Sequence, residues 1–157
     1  MITMTQENEL TLNYHEHSYA GFRIGMHIST YKGQVVKTRD LDVDDEYDYA
    51  TEYIPLKNPS VVLCCSESGI IRDIDIERHC FYKGTDLIGM DIFDFFILFD
   101  REPEYVDLDW APPCGSNKRG KILHSYCYLL KGGYMVIVST WRQRIRAVSI
   151  CNYGINN

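Results

Sequence analysis

No stretch of the chain approaches eighteen consecutive apolar residues, so the sequence offers no membrane-spanning helix. The opening residues, Met1-Ile2-Thr3-Met4-Thr5-Gln6-Glu7-Asn8-Glu9, carry two acids, no base and no apolar segment of the kind found in a secretory leader. A cytosolic chain is the expectation. There is no Cys-x-x-Cys pair: Cys64 and Cys65 are adjacent, while Cys80, Cys114, Cys127 and Cys151 are scattered. In a reducing compartment that pattern predicts buried thiols rather than disulfides or a metal set. Positive charge is in deficit, with a net charge of −6, which argues against a nucleic-acid binder. Also missing are a Gly-x-Ser-x-Gly turn, a phosphate-binding loop and a dinucleotide fingerprint. Global disorder is excluded by what is present: 157 residues, 45% of them hydrophobic and 13% aromatic, enough to bury a sizeable core.

The sequence repeats itself. Ile24-Gly25-Met26-His27-Ile28 recurs as Ile88-Gly89-Met90-Asp91-Ile92. Ile71-Arg72-Asp73-Ile74-Asp75-Ile76 matches Ile145-Arg146-Ala147-Val148-Ser149-Ile150 at an offset of 74, and Val61-Val62-Leu63-Cys64 matches Met135-Val136-Ile137-Val138 at that same offset. Matches in one order predict a single domain built of two units, residues 12–77 and 78–152. Each unit reads as an Ile-Gly-Met turn, a short helix, an acidic linker and hairpin strands. The second helix is the clearer, with Ile92, Phe95, Phe96 and Phe99 on one stripe, Asp91 as its cap and Glu102-Pro103 as its stop. The first, over residues 28–36, holds Gly33 and β-branched residues and is expected to be short. Residues 61–65 and 70–76 predict one hairpin, residues 135–140 and 145–150 another, and 126–130 a further strand. The expected class is α+β: two tandem helix-plus-hairpin repeats forming an antiparallel sheet with helices on one face.

Charge is concentrated in two runs. Residues 40–52 contain Asp40, Asp42, Asp44, Asp45, Glu46, Asp48 and Glu52 with no base; residues 100–109 contain Asp100, Glu102, Glu104, Asp107 and Asp109 against Arg101. Together they sum to −11, leaving the remainder at +5. Tyr47, Tyr49, Tyr53, Tyr105 and Trp110 lie among or beside the acids. A solvated linker explains acids alone, but large aromatics are characteristic of protein interfaces. Both runs follow their unit's helix, so the duplication predicts equivalent positions and one contiguous acidic surface that steers a basic partner.

Catalytic patterns are weaker. His15 and His17 alternate along an expected strand, and with His27, His79 and Cys80 they lack metal-ligand spacing. A hydrolase using His79, Cys80 or His124 has only the adjacency of two of them in its favour. Asp73, Asp75 and Glu77 share an expected solvated strand face. Arg142, Arg144 and Arg146 share another, suited to an anion or to a neighbour's acids.

The Ile-Gly-Met-x-Ile turn followed by an acidic linker and hairpins, repeated once, resembles the tandem modules of the β-lactamase-inhibitor-protein and outer-membrane-lipoprotein assembly type. Cys80-Phe81-Tyr82-Lys83-Gly84-Thr85-Asp86-Leu87-Ile88-Gly89-Met90-Asp91-Ile92 is similar to small bacterial immunity proteins encoded beside polymorphic toxins, including those of contact-dependent growth inhibition. The resemblance implies binding rather than catalysis. It sets the expectation of a cytoplasmic immunity protein, without cofactor or catalytic residues, that neutralises the C-terminal domain of a cognate toxin, preferably a basic nuclease. The expected toxin-binding residues are Asp42, Asp44, Asp45, Glu46, Tyr47, Asp48 and Tyr49, extended by Glu104, Tyr105, Asp107, Asp109 and Trp110. A small hydrolase and a self-associating module, forming a homodimer through its sheet edges or the arginine strand, are the alternatives.

Overall fold

Alternation of apolar and polar residues, more than helical periodicity, decides the architecture. The computed structural model describes residues 8–13, 15–40, 50–111 and 120–152. Strands β1 (Leu10–Leu12), β2 (His17–Tyr19) and β3 (Phe22–Arg23) form a small antiparallel sheet. A main sheet of eight strands combines β4 (Val35–Asp40), β5 (Thr51–Pro55), β6 (Val61–Cys65) and β7 (Ile71–Ile76) with β10 (Tyr105–Ala111), β11 (Lys121–Leu129), β12 (Met135–Trp141) and β13 (Arg144–Cys151). Between these sets lie the short hairpin of β8 (Phe81–Tyr82) and β9 (Thr85–Asp86) and the helix α1 (Ile92–Phe99).

The molecule is therefore mostly β, and the α+β fold with two helix-plus-hairpin repeats is corrected. Among the described residues α1 is the one α-helix. Asp91 caps it by accepting from the Phe93 amide at 2.9 Å, and Asp100, left-handed at φ 54°, ends it before Glu102-Pro103 is reached. In the first half the counterpart is a single 3-10 turn, Ile28–Tyr31. Gly33 at φ 86° turns the chain there, and Val35 and Val36, read as the helix's end, enter β4. No helix among the described residues is long and apolar enough to cross a membrane.

The order of the main sheet is β10-β11-β12-β13-β7-β6-β5-β4, antiparallel throughout. Two four-strand meanders thus meet at the central β13–β7 pair, where Val148 faces Ile76 and Ile150 faces Ile74. Each Ile-Gly-Met turn docks on the start of a strand in the same way. Gly25 N–H donates to Ile71 O and Gly89 N–H to Ile145 O, both at 2.8 Å, and Ile71 and Ile145 N–H return bonds of 2.9 Å to Met26 and Met90. The strand equivalence differs by one residue from the sequence alignment: Val61 faces Ile76 where Val136, not Met135, faces Ile150. A slip of one residue turns every side chain to the opposite face, and burial follows the structural register.

One face of the sheet builds the core. Val61, Leu63, Ile74, Ile76, Val136, Val138, Val148 and Ile150 are buried there with Tyr128. Ile92 and Phe95 of α1 cover them, at roughly 2 kcal/mol for each large apolar side chain removed from water. The other face is polar and carries rows of cross-strand contacts. The Ser149 hydroxyl donates to Asp75 at 2.6 Å, and Ser125 bridges Asp109 and Ser139 at 3.2 and 3.1 Å.

Candidate partner-binding edge

Two strands end the main sheet, and one of them carries half of the predicted site. β10 pairs with β11 and with no other described strand, in unbroken register from Tyr105 opposite Cys127 to Ala111 opposite Lys121. Every residue from Glu104 to Trp110 is exposed. Alternation then sorts them: Tyr105, Asp107 and Asp109 lie on the polar face of the sheet, Val106, Leu108 and Trp110 on the face that builds the core further in. Leu108 and Trp110 are each 65% exposed, and Ile122, opposite Trp110 on β11, is 54% exposed. A Cβ added at Gly120 would collide with the Trp110 indole, so the glycine lets the ring lie against the start of β11. Sequence reasoning named the acids and aromatics but missed Val106, Leu108 and Ile122. The signal was present, since Tyr105-Val106-Asp107-Leu108-Asp109-Trp110 alternates with period two, but the acids made it read as a linker.

The acids of this edge are not equal. Glu104 is already engaged: it accepts from the Leu129 amide at 2.8 Å and from Arg101 at 2.6 Å. Those donors hold its carboxyl below the usual range, led by the Leu129 amide. Arg101 also donates to the Leu129 carbonyl, so the pair pins the entry of β10 to the end of β11. Asp109 accepts from the Ser125 hydroxyl, while Asp107 stands exposed between Tyr105 and Asp109. Glu104 is thus a clamp, and Asp107 and Asp109 carry the outward charge.

Asp42, Asp44, Asp45, Glu46, Tyr47, Asp48 and Tyr49 lie outside the described residues. Their flanks are described, and these correct the expectation that the two acidic runs occupy equivalent positions. Residues 41–49 join β4 to β5, and the corresponding β10–β11 connection is residues 112–119, which hold Lys118 and Arg119 and no acid. The second run instead precedes and forms β10. β4 and β10 are opposite edges of the sheet, seven strand spacings or about 34 Å apart along it. The ends of the first run are also paired: Asp40 with Lys37 at 3.2 Å and Glu52 with Arg39 at 3.9 Å.

Other candidates resolve into structural roles. Cys64, Asp73 and Asp75 place their ligand atoms within 4.8 Å of one another on the polar face. Burial, then the charges of Asp73 and Asp75, push the Cys64 thiol up, so it stays protonated and donates to Asp75 at 4.0 Å. Asp73, expected on a solvated face, is buried, and Asp75 is half-buried under the Ser149 bond. Cys80 is buried in the core, its thiol raised by burial and by Asp86, which is the reverse of nucleophile activation. His79 is exposed and bonds Asp86 at 3.0 Å, while Asp86 caps the amides of Cys80 and Ile88. His15 sits in the turn before β2, and His17 is buried against Tyr134 with ring centroids 3.7 Å apart. His124 lies exposed on β11. Cys64, Cys65, Cys80, Cys127 and Cys151 are buried, and Cys114 lies outside the described residues. Compared with protein-family models, with curated proteins and with solved structures, the chain matches none.

Proposed function

We propose that this chain is a cytoplasmic immunity-type inhibitor that captures a basic toxin domain along β10. One observation carries the reading: an edge strand exposed on both faces from Tyr105 to Trp110, with acids on one side and an apolar row on the other. An unpaired edge offers a row of backbone donors and acceptors, and exposed apolar side chains on it invite a second strand. Strand addition by a partner would satisfy those groups, with Leu108 and Trp110 as apolar anchors and Asp107 and Asp109 facing lysines or arginines. In this reading the acids set the rate of encounter and the apolar row sets the lifetime of the complex. Residues 41–49, with five acids and two tyrosines among nine residues, would supply a second contact or act only in steering. No side chain does chemistry. Inhibition comes from occupying the toxin's basic surface, the place where its polyanionic substrate would bind.

The test is co-expression with the product of the adjacent upstream reading frame, capture on a tag and elution over a salt gradient. The proposal expects a 1:1 complex that survives moderate salt in the wild type and is lost in Leu108→Lys/Trp110→Ala. Capture that is indifferent to that double substitution would show that β10 is not the binding edge. Absence of any complex would remove the inhibitor reading itself.

A further inference from the structure

Four cations converge at the turn end of the β12–β13 hairpin, near the end of β10. Trp141, the last residue of β12, has Lys121 Nζ at 4.6 Å from its ring centroid, Arg142 Cζ at 4.5 Å and Arg146 Cζ at 5.5 Å. Arg144 lies beside them and donates to the Gly89 carbonyl at 3.2 Å. Among the described residues, the ion pairs use Lys37, Arg39, His79 and Arg101, and none of these four cations. A groove of about 640 Å³ opens at this place, lined by Lys121, Arg144, Arg146, Leu123, Ser139 and Glu77.

We infer that this groove binds a small ligand carrying a chain of two or three phosphoryl groups. Cations held this close repel one another, and contact with the indole offsets only part of that cost. An anion completes the balance. A guanidinium held over an aromatic ring keeps its N–H edge free, and that planar fork matches phosphoryl oxygens. The groove's cations come from two strands, Lys121 from β11 and Arg144 and Arg146 from β13, with β12 between them. A short phosphoryl chain offers oxygens to the cations of both strands at once. The ring is occupied by cations, which leaves it unsuited to stacking with a base. Glu77 in the groove, and Asp109 opposite the lining residue Leu123 on β10, disfavour a long polyanion crossing this face.

The hairpin is also built differently from its counterpart. Arg142 and Gln143 both take left-handed backbone, φ 52° and 67°, where a two-residue hairpin favours Asn-Gly. In the β6–β7 hairpin, Gly69 takes the positive φ, and Ser66-Glu67-Ser68 includes an acid and no base. The fold therefore does not require the cation cluster. Strained non-glycine turns gather at ligand sites.

Calorimetry at fixed ionic strength tests this, with inorganic triphosphate and a nucleoside triphosphate as probes and orthophosphate as reference. The wild type is expected to bind triphosphate saturably at 1:1, more than about tenfold tighter than orthophosphate, and Lys121→Gln/Arg146→Gln to lose about tenfold. Equal affinity for both triphosphates assigns the site to the phosphoryl chain alone. A tighter nucleoside triphosphate adds recognition of the nucleoside. Arg142→Gln, at the exposed turn, is the second variant and should weaken binding without touching the sheet. Non-saturable binding, or affinities unchanged in both variants, overturns the proposal, as does an oligonucleotide that binds more tightly than triphosphate.

Discussion

The two ends of the main sheet solve the same problem in opposite ways. β4 carries Lys37 and Arg39 among its exposed residues, each ion-paired, and its pairing with β5 is interrupted by a bulge between them. Edge lysines and bulges are devices that stop a sheet from recruiting another strand. β10 has neither: no cation within it, no bulge, and Val106, Leu108 and Trp110 exposed in a row. One sheet thus has a guarded edge and an open one. The contrast indicates that exposure of β10 is a property of that strand and not of the fold.

Giving β10 the guard of β4 is the most severe way to break the contrast. Val106→Lys/Leu108→Lys should weaken the toxin complex by about 100-fold or more in a binding titration, since it replaces both central apolar residues with charge. Both residues are exposed, so the melting temperature of the free protein should barely move. Trp110→Ala comes next, expected to cost about 2 kcal/mol, or about 30-fold, expressed mainly as faster dissociation in a surface-binding assay. Charge reversal in Asp107→Lys/Asp109→Lys should slow association about tenfold and flatten its salt dependence, leaving dissociation less affected. On-rates that keep their salt dependence would exclude steering by these two acids.

The smallest effect concerns the clamp. Glu104 is held below the usual carboxylate range of about 4.5, so its bonds to the Leu129 amide and Arg101 favour the folded state above that pH. As pH falls below it the unfolded state takes up the proton first, and the contribution is lost. The protection of the Leu129 amide relative to its intrinsic exchange rate should therefore fall in acid, and in Glu104→Gln this acid-induced change should be much reduced. Among the described residues no such carboxylate clamp is seen at the entry of β4, so its exchange provides the control.

Much of the sheet could be read from the chain because burial and alternation coincide there. Residues 61–65, 70–76, 135–140 and 145–150 follow the pattern of a half-buried strand, and β6, β7, β12 and β13 lie where that pattern lies. The outer strands were harder. In β4, Lys37-Thr38-Arg39-Asp40 has no apolar period, and hydrogen bonding to β5 rather than burial fixes it. In β10 the period exists but both faces meet water, so hydrophobicity no longer separates a strand from a linker. The error over the first helix has a local cause, since Gly33 cut short a segment that Val35 and Val36 then carried into a strand. Charge and aromaticity mark out Tyr105, Asp107, Asp109 and Trp110 in the sequence. Why they lie together on one edge depends on strand order, which no local pattern encodes.

The most direct measurement of the central claim is amide hydrogen exchange of the free protein and of its complex with the toxin domain, mapped by residue. The account predicts slowed exchange across residues 105–111 in the complex and unchanged exchange across residues 35–40. Protection confined to β4, or to residues 41–49, with β10 exchanging as in the free protein, would contradict it.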